Sequence, residues 1–187
     1  MKNSKSFMAI RAVACCAMLA AISIVMARLL SFSTPDGIRW SLDKFPLFLA
    51  GMLFGPVMGA LTGVTADFLG SLMQYGFNPL LCLPAILYGL FGGVFSQYIK
   101  NKPTLFRLGS SYLFPIVLGS ILYQSYMLAY LYFDGGLLAG LAYYLGTRSV
   151  QFAIMLVLEV TIIYALVKSG LFTRVGLWPP VKKFEKE

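Results

Sequence analysis

Residues 50–70 read AGMLFGPVMGALTGVTADFLG, an apolar stretch in which Gly55, Gly59 and Gly63 are followed, at the same four-residue spacing, by the carboxylate of Asp67. Residues four positions apart share one face of a helix. Glycines at this spacing allow a second helix to approach closely, which is a main source of packing energy in lipid. The stretch therefore predicts a membrane helix that contacts its neighbours along the glycines and ends in one acid.

Asp67 is the only charged side chain between Lys44 and Lys100. A carboxylate at membrane depth is costly unless it is paired, protonated or exposed to a wet cavity. Asp67 therefore requires a partner, and no cation lies near it in the sequence.

The composition is that of a polytopic membrane protein. Of the 187 residues, 59% are hydrophobic and 12% are charged, and several apolar runs are about 20 residues long, enough to cross a bilayer. We expect residues 1–187 to form a single integral membrane domain. The net charge of +8 does not indicate a nucleic-acid partner, because most basic residues lie at the ends of apolar spans.

The apolar pattern predicts an all-α bundle of six transmembrane helices with a short second helix. The run at 45–54 gives roughly 15 Å of helix and cannot cross a ~30 Å core alone. Pro56 then favours the start of the third helix. The predicted helices span about residues 7–30, 45–54, 56–73, 80–99, 112–133 and 138–168, with polar loops SFSTPDGIRWSLDK at 31–44 and QYGFNP at 74–79.

The distribution of basic residues predicts that both termini lie inside. With that orientation eleven of the 15 basic residues are on the inner side, and four lie outside or in the outer half: Arg28, Arg39, Lys44 and Arg148. An excess of inner basic residues is the rule in membrane proteins. Both polar loops, Asp67 and the start of the sixth helix then share the outer face, so a site there would open to the exterior.

The sixth predicted helix carries a polar stripe. Arg148, Gln151, Met155 and Glu159 fall within about 80° of one another on a helical wheel, over roughly 16 Å, so they should face the bundle interior. A purely structural interpretation pairs Asp67 with Arg148, and for Glu159 we expect a structural role. On the fifth helix, side chains that can line a small-molecule pocket are Tyr123, Gln124, Tyr126, Met127 and Tyr130.

The chain resembles the substrate-binding S components of energy-coupling factor vitamin transporters, and most closely the folate-specific members. The likeness rests on the short second helix, the GMLFGPVMGALTGVTADFLG run and AMLAA at 17–21, and it covers nearly the whole chain. It implies a six-helix subunit of the bacterial cell membrane, surrounded by lipid, that captures a vitamin from outside. It also implies docking through Ala17 and Ala21 on a transmembrane coupling subunit that carries two cytoplasmic ATPases.

By the same resemblance, Asp67 would contact the pterin head of folate, and Arg148 and the two loops would complete the site. A carboxylate can accept the paired N–H groups of a pterin, aromatic rings can stack on it, and cations near the outer surface suit the anionic tail. The candidate substrate-binding residues are Asp67, Arg148, Arg28, Arg39, Trp40, Lys44, Gln74, Tyr75, Phe77, Asn78, Tyr123, Gln124, Tyr143 and Gln151.

No catalytic residue, metal site or cofactor is predicted, folate being the transported ligand. The chain has no histidine, its three cysteines lie in apolar spans, and it has no GxxxxGK[ST] loop, so any ATP hydrolysis belongs to partner subunits.

Two alternatives remain at this stage. The scaffold does not fix the cargo, so another water-soluble vitamin is possible. A membrane enzyme that acts on lipid or isoprenoid substrates would use Asp67 and Glu159 as metal-binding acids, but the chain lacks the paired acidic motifs of such enzymes.

Overall fold

A computed structural model describes residues 2–33, 39–73, 78–133 and 135–177, with all side chains in these ranges except those of residues 2–9, Ser33 and Arg39. Its elements are α1 (Lys2–Leu29), β1 (Phe32–Ser33), β2 (Arg39–Trp40), α2 (Phe45–Phe54), α3 (Pro56–Leu72), α4 (Pro79–Val94), α5 (Ser96–Asn101), α6 (Leu105–Pro115), a π-helical segment (Ile116–Tyr123), α7 (Gln124–Tyr132), α8 (Leu137–Lys168) and α9 (Leu171–Arg174). The two strands form one short antiparallel ladder.

The predicted all-α membrane architecture with a short second helix is confirmed. Within the described ranges, three stretches are long and apolar enough to cross a membrane unaided, namely Ile10–Leu29, Leu105–Tyr132 and Leu137–Lys168. The shorter helices α2, α3 and α4 complete the six predicted segments. The fifth segment begins earlier than predicted, at Leu105, and the fourth is interrupted at Phe95 before α5.

Helix α2 forms the centre of the bundle. It has 10 residues, and those from Phe45 to Met52 are all buried. Phe48 is fully buried and packs edge-on against Tyr112 of α6, with ring centroids 4.8 Å apart. Because α2 is apolar and its neighbours shield it from lipid, it does not need to be long enough to cross the bilayer.

Glycines bring the main chains of α2, α3 and α4 into direct contact. A Cβ added to Gly59 would overlap the carbonyl group of Gly89, and one added to Gly63 would overlap the carbonyl group of Ala85. Gly51 of α2 is equally close to α4, because a Cβ added to Gly51 would overlap the same carbonyl group of Gly89. The predicted glycine contact along α3 is therefore present at Gly59 and Gly63, and α4 is the neighbour it brings close.

Gly55 has a different role from the other two glycines of the motif. Its φ of 97° and ψ of 172° define a conformation that is essentially restricted to glycine, and a Cβ there would meet nothing within 4 Å. Gly55 therefore makes the turn between α2 and α3, and its main chain lies against α4, where a Cβ added to Gly93 would stand 2.5 Å from the Gly55 carbonyl carbon.

The chain before α2 enters the bundle instead of remaining at its surface. Ser41 to Lys44 are partly buried, and the Ser23 hydroxyl of α1 donates a 2.6 Å hydrogen bond to the main-chain oxygen of Asp43. This contact fixes the depth at which α2 begins.

A π-helical segment, Ile116–Tyr123, lies in the middle of the long helix that runs from α6 to α7. Pro115 directly precedes it, and a proline lacks the N–H that a regular helix needs at that point. Such wider turns occur often at functional sites. Here the segment leaves the Ser120 carbonyl oxygen available to a side chain of α8.

Helix α1 buries one stripe and exposes another. Cys16, Ala20 and Ser23 are buried, whereas Ala17 and Ala21 are exposed. Arg28 lies roughly 20° from Ala17 on a helical wheel but about 16 Å further along the helix axis. Because α1 is unbroken, depth separates the alanines from Arg28.

Candidate ligand-binding site

One end of the bundle contains a cavity of about 860 Å³. It lies where α1, α3 and α7 end and where α4 and α8 begin, which is the outer end in the predicted orientation. Its volume is in the range of small-molecule sites. The cavity is lined by Ser23, Ile24, Ala27, Arg28, Ser41, Asp43, Lys44, Leu47, Ala66, Asp67, Gly70, Ser71, Asn78, Pro79, Leu81, Pro84, Ala85, Gln124, Leu128, Tyr132, Tyr143, Tyr144, Thr147, Arg148, Gln151, Phe152, Met155 and Glu159.

The cavity brings together most of the candidate residues that the structure describes. Those that line it are Arg28, Lys44, Asp67, Asn78, Gln124, Tyr143, Arg148 and Gln151. Trp40 and Tyr123 are described but do not line it. Gln74, Tyr75 and Phe77 lie outside the described residues, as does the side chain of Arg39.

Trp40 packs next to the core instead of into the cavity. Its ring stacks on Phe32 of the paired strand, with centroids 6.0 Å apart and an interplanar angle of 3°. The indole Nε1 is buried and makes no hydrogen bond within the described structure.

Asp67 points into the cavity from α3. Its carboxylate accepts a long hydrogen bond of 3.4 Å from the Ser71 hydroxyl, and the Cys82 thiol of α4 lies against it. The Ser71 hydroxyl also donates to the main-chain oxygen of Asp67. Neither neighbour is a cation, so the carboxylate has weak donors on two sides and the cavity on the third.

Arg148 does not pair with Asp67. Its Nε donates to the Ser120 carbonyl oxygen at 3.2 Å, and an Nη donates to the Gln124 side-chain oxygen at 2.8 Å. Its guanidinium lies 5.3 Å from the centroid of the Phe152 ring. The π-helical segment and α7 therefore hold this arginine on the cavity wall, and the structural ion pair considered from the sequence is absent from the described side chains.

Arg28 reaches the same cavity from the end of α1. Its Nε is buried and has no hydrogen-bond partner in the described part of the chain, and its terminal nitrogens lie close to Gly70. A Cβ at Gly70 would stand only 3.8 Å from the guanidinium. A buried guanidinium donor without an acceptor is suited to an anion supplied by a ligand.

Lys44 forms an ion pair with its chain neighbour. Its Nζ lies 2.8 Å from a carboxylate oxygen of Asp43, and the Ser41 hydroxyl donates to the other oxygen at 2.6 Å. Burial by itself would raise the pKa of the Asp43 carboxyl, but Lys44 and Ser41 hold that pKa below its ordinary value. Asp43 is thus charged and offsets most of the charge of Lys44.

Glu159 also lines the cavity, although the sequence indicated a structural role for it. It is 1% exposed, and the Tyr112 hydroxyl donates a 2.6 Å hydrogen bond to its Oε2. The structural role was expected because Glu159 lies in the inner half of the predicted helix. The signal that was available is its position at the end of the polar stripe with Arg148 and Gln151.

Asn78 is explained by local structure. It is the N-cap of α4, where its side-chain oxygen accepts a 3.1 Å hydrogen bond from the main-chain N–H of Leu80. Asparagine is among the preferred residues at this position. Asn78 lies at the cavity edge because α4 begins there.

The aromatic side of the cavity is formed by Tyr143 and Tyr144, with ring centroids 5.4 Å apart. Phe133 contacts both rings from the loop before α8. A flat ligand could stack here, and no group of three or more metal-ligating side chains occurs among the described residues. The cavity thus offers carboxyl groups, guanidinium groups and aromatic faces to a ligand.

A family model described as "ECF transporter, substrate-specific component" matches residues 11–167. The chain belongs to this family. The match includes every element from within α1 to near the end of α8, and hence the whole cavity.

Two relatives of this substrate-specific component are informative. The "Folate transporter FolT" of Clostridium novyi (strain NT) is 31% identical over 99 residues, which is 50% of this chain and 56% of the relative. The chain thus matches little more than half the length of that relative. A crystal structure of FolT bound with folic acid superposes with a TM-score of 0.69 and 28% identity, covering 82% of this chain and 90% of that one.

Proposed function

We propose that this ECF substrate-specific component binds folate from the extracellular side of the bacterial cell membrane and delivers it to an ATP-driven coupling module. The observation that carries the proposal is the cavity of about 860 Å³ that joins the lone acid of α3 to two arginines. It lies in a chain whose solved relative holds folic acid.

The charges of the cavity support one orientation of the ligand. A pterin presents an amine and an amide N–H side by side, and the carboxylate of Asp67 can accept both. The glutamate tail is anionic, and Arg28 at the end of α1 has a buried Nε that meets no acceptor among the described residues. We therefore place the pterin at Asp67 and the tail at Arg28, with the benzoate between them near the tyrosines.

We propose the partners that the family implies. The chain has no GxxxxGK[ST] loop, so we propose that the energy comes from a transmembrane coupling subunit and two cytoplasmic ATPases. We propose Ala17 and Ala21 as the contact with the coupling subunit. Both are exposed on α1, and small residues four positions apart allow close approach of a helix.

The test is a binding measurement on the detergent-solubilised chain. We expect folic acid to bind with one site per chain in isothermal titration, and the protein purified from folate-containing medium to carry the ultraviolet absorption of a pterin. Riboflavin, thiamine and biotin serve as controls. Heat of binding from one of these vitamins and none from folic acid would assign the cavity to another cargo.

A further inference from the structure

Glu159 has an unusual environment for a buried acid. It is 1% exposed and lines the cavity, and only Oε2 is engaged, by the Tyr112 hydroxyl at 2.6 Å. The main-chain amide of Lys44 faces the carboxylate, yet no described group makes a hydrogen bond of normal geometry with Oε1. A buried acceptor without a donor is costly unless something else supplies the donor.

The Oε1 atom of Glu159 is held in a fixed direction. Tyr112, which holds the other oxygen, is itself fully buried. Its ring packs against Phe48 at 4.8 Å and against Tyr88 at 5.4 Å between centroids. An acceptor whose support is packed in this way is preorganised for a ligand and does not need to move to meet it.

The cation near Glu159 is engaged by another acid. Asp43, Asp67 and Glu159 all lie within electrostatic range of Lys44. Among the described side chains, Lys44 forms its ion pair with Asp43, and Glu159 and Asp67 form none. This part of the cavity therefore offers carboxyl oxygens to a ligand that supplies N–H donors.

A pterin has one donor more than Asp67 can accept. Its exocyclic amine carries two N–H groups and the adjacent ring amide carries one. A bidentate contact with Asp67 uses the amide N–H and one amine N–H. The second amine N–H would be buried without an acceptor, just as Oε1 of Glu159 is buried without a donor.

We infer that Glu159 is a further ligand-binding residue, and that its Oε1 accepts the remaining N–H of the head-group amine. This inference rests on the proposed function, since it concerns a pterin in the same cavity. It assigns the amine, and not only the ring edge, as the group by which the cavity selects its ligand.

The experiment compares folic acid with its 2-deamino-2-oxo analogue, in which a carbonyl oxygen replaces the amine. Sites that hydrogen-bond an N–H of the substrate strongly reject analogues that lack it. We expect the unchanged protein to prefer folic acid by at least about a hundredfold. In Glu159→Gln the amide oxygen can still accept from Tyr112, while its NH2 faces the ligand as a donor.

Glu159→Gln should therefore reduce the preference for folic acid over the oxo analogue at least tenfold. The variant should bind folic acid more weakly and the oxo analogue more tightly than the parent does. Ser96→Ala is the control, because it removes another buried hydrogen bond, from the Ser96 hydroxyl to the Met52 main-chain oxygen at 2.7 Å, at a residue that does not line the cavity. It should lower thermal stability and leave the preference within about threefold of the parent.

Each outcome is decisive. If Glu159→Gln keeps the parent's preference, or if Ser96→Ala narrows the preference equally, Glu159 acts only in packing and the inference is wrong. If the unchanged protein does not bind folic acid at all, the proposed function fails first. The melting temperature of each ligand-free variant separates loss of folding from loss of recognition.

Discussion

At the scale of single residues, the position of Asp67 explains why a membrane helix keeps a carboxylate. The side chain is partly buried, and among the described residues the Ser71 hydroxyl and the Cys82 thiol are its hydrogen-bond partners. Such neighbours do not compensate for the desolvation of a charge. Under the proposed function, a ligand with paired donors supplies this compensation.

We expect Asp67→Asn to weaken folic acid binding at least thirtyfold. The amide replaces one acceptor by a donor and removes the charge of the carboxylate, at a cost of roughly 2 to 4 kcal/mol. Isothermal titration of the purified variant measures the change, and equal affinity of the variant and the parent would remove Asp67 from the site.

Arg28→Gln is the matched control for the tail. It should weaken folic acid severalfold but should barely change the affinity for pteroic acid, which lacks the glutamate. Asp67→Asn should weaken both ligands alike, because both contain the pterin. A variant of Arg28 that loses pteroic acid as strongly as folic acid would place this arginine at the head instead.

The sequence predicted the charged residues of the site better than their roles. Arg28, Asp67 and Arg148 were recognisable because a charge inside an apolar helix needs a reason. Glu159 carried the same signal, but its distance from the outer end indicated packing. The cavity reaches this depth because the chain at Ser41 to Lys44 enters the bundle, and a short polar loop gives no sign of that in its sequence.

At the scale of elements, the contact between α3 and α4 depends on the absence of side chains. Gly59 and Gly89 each face the carbonyl group of the other. We expect Gly59→Ala to lower the melting temperature of the detergent-solubilised protein by about 2 to 12 °C, since overpacking costs roughly 1–3 kcal/mol.

Gly146→Ala provides the comparison within the same protein. Gly146 lies inside α8, and a Cβ there would meet nothing within 4 Å. Alanine is the better helix former by about 1 kcal/mol, so this variant should melt at the parent's temperature or above it. If both variants behave alike, the glycines of α3 serve another purpose than contact.

The helix contacts were predictable because a four-residue glycine spacing has one main meaning in a membrane helix. The π-helical segment was not predictable. Its residues, IVLGSILY, read as ordinary apolar helix, and the hydrogen bond from Arg148 to Ser120 joins residues far apart in the sequence. Tertiary contacts of this kind leave no local pattern.

At the scale of the whole molecule, the cavity and the proposed docking contact are different surfaces. Ala17 and Ala21 are exposed and absent from the cavity lining. We expect Ala21→Trp to abolish folate uptake by vesicles that contain the coupling subunit and the ATPases. The affinity of the purified variant for folic acid should stay within about twofold of the parent, because the substitution fills only the docking contact.

The control is Ala153→Trp, the same substitution at an exposed alanine of α8 that is also absent from the cavity lining. Uptake by this variant should be close to that of the parent. Normal uptake by Ala21→Trp would rule out the docking role, and a joint loss of uptake and affinity would show that the bulky side chain disturbs the fold.

The glycine contacts between α2, α3 and α4 have a mechanical consequence. Helices that touch through their main chains have no intervening layer of side chains that could change rotamer and absorb a displacement. We therefore expect α2, α3 and α4 to move together as one rigid body. A displacement of the turn at Gly55 would then be transmitted along the 17 residues of α3 to Asp67 and the cavity.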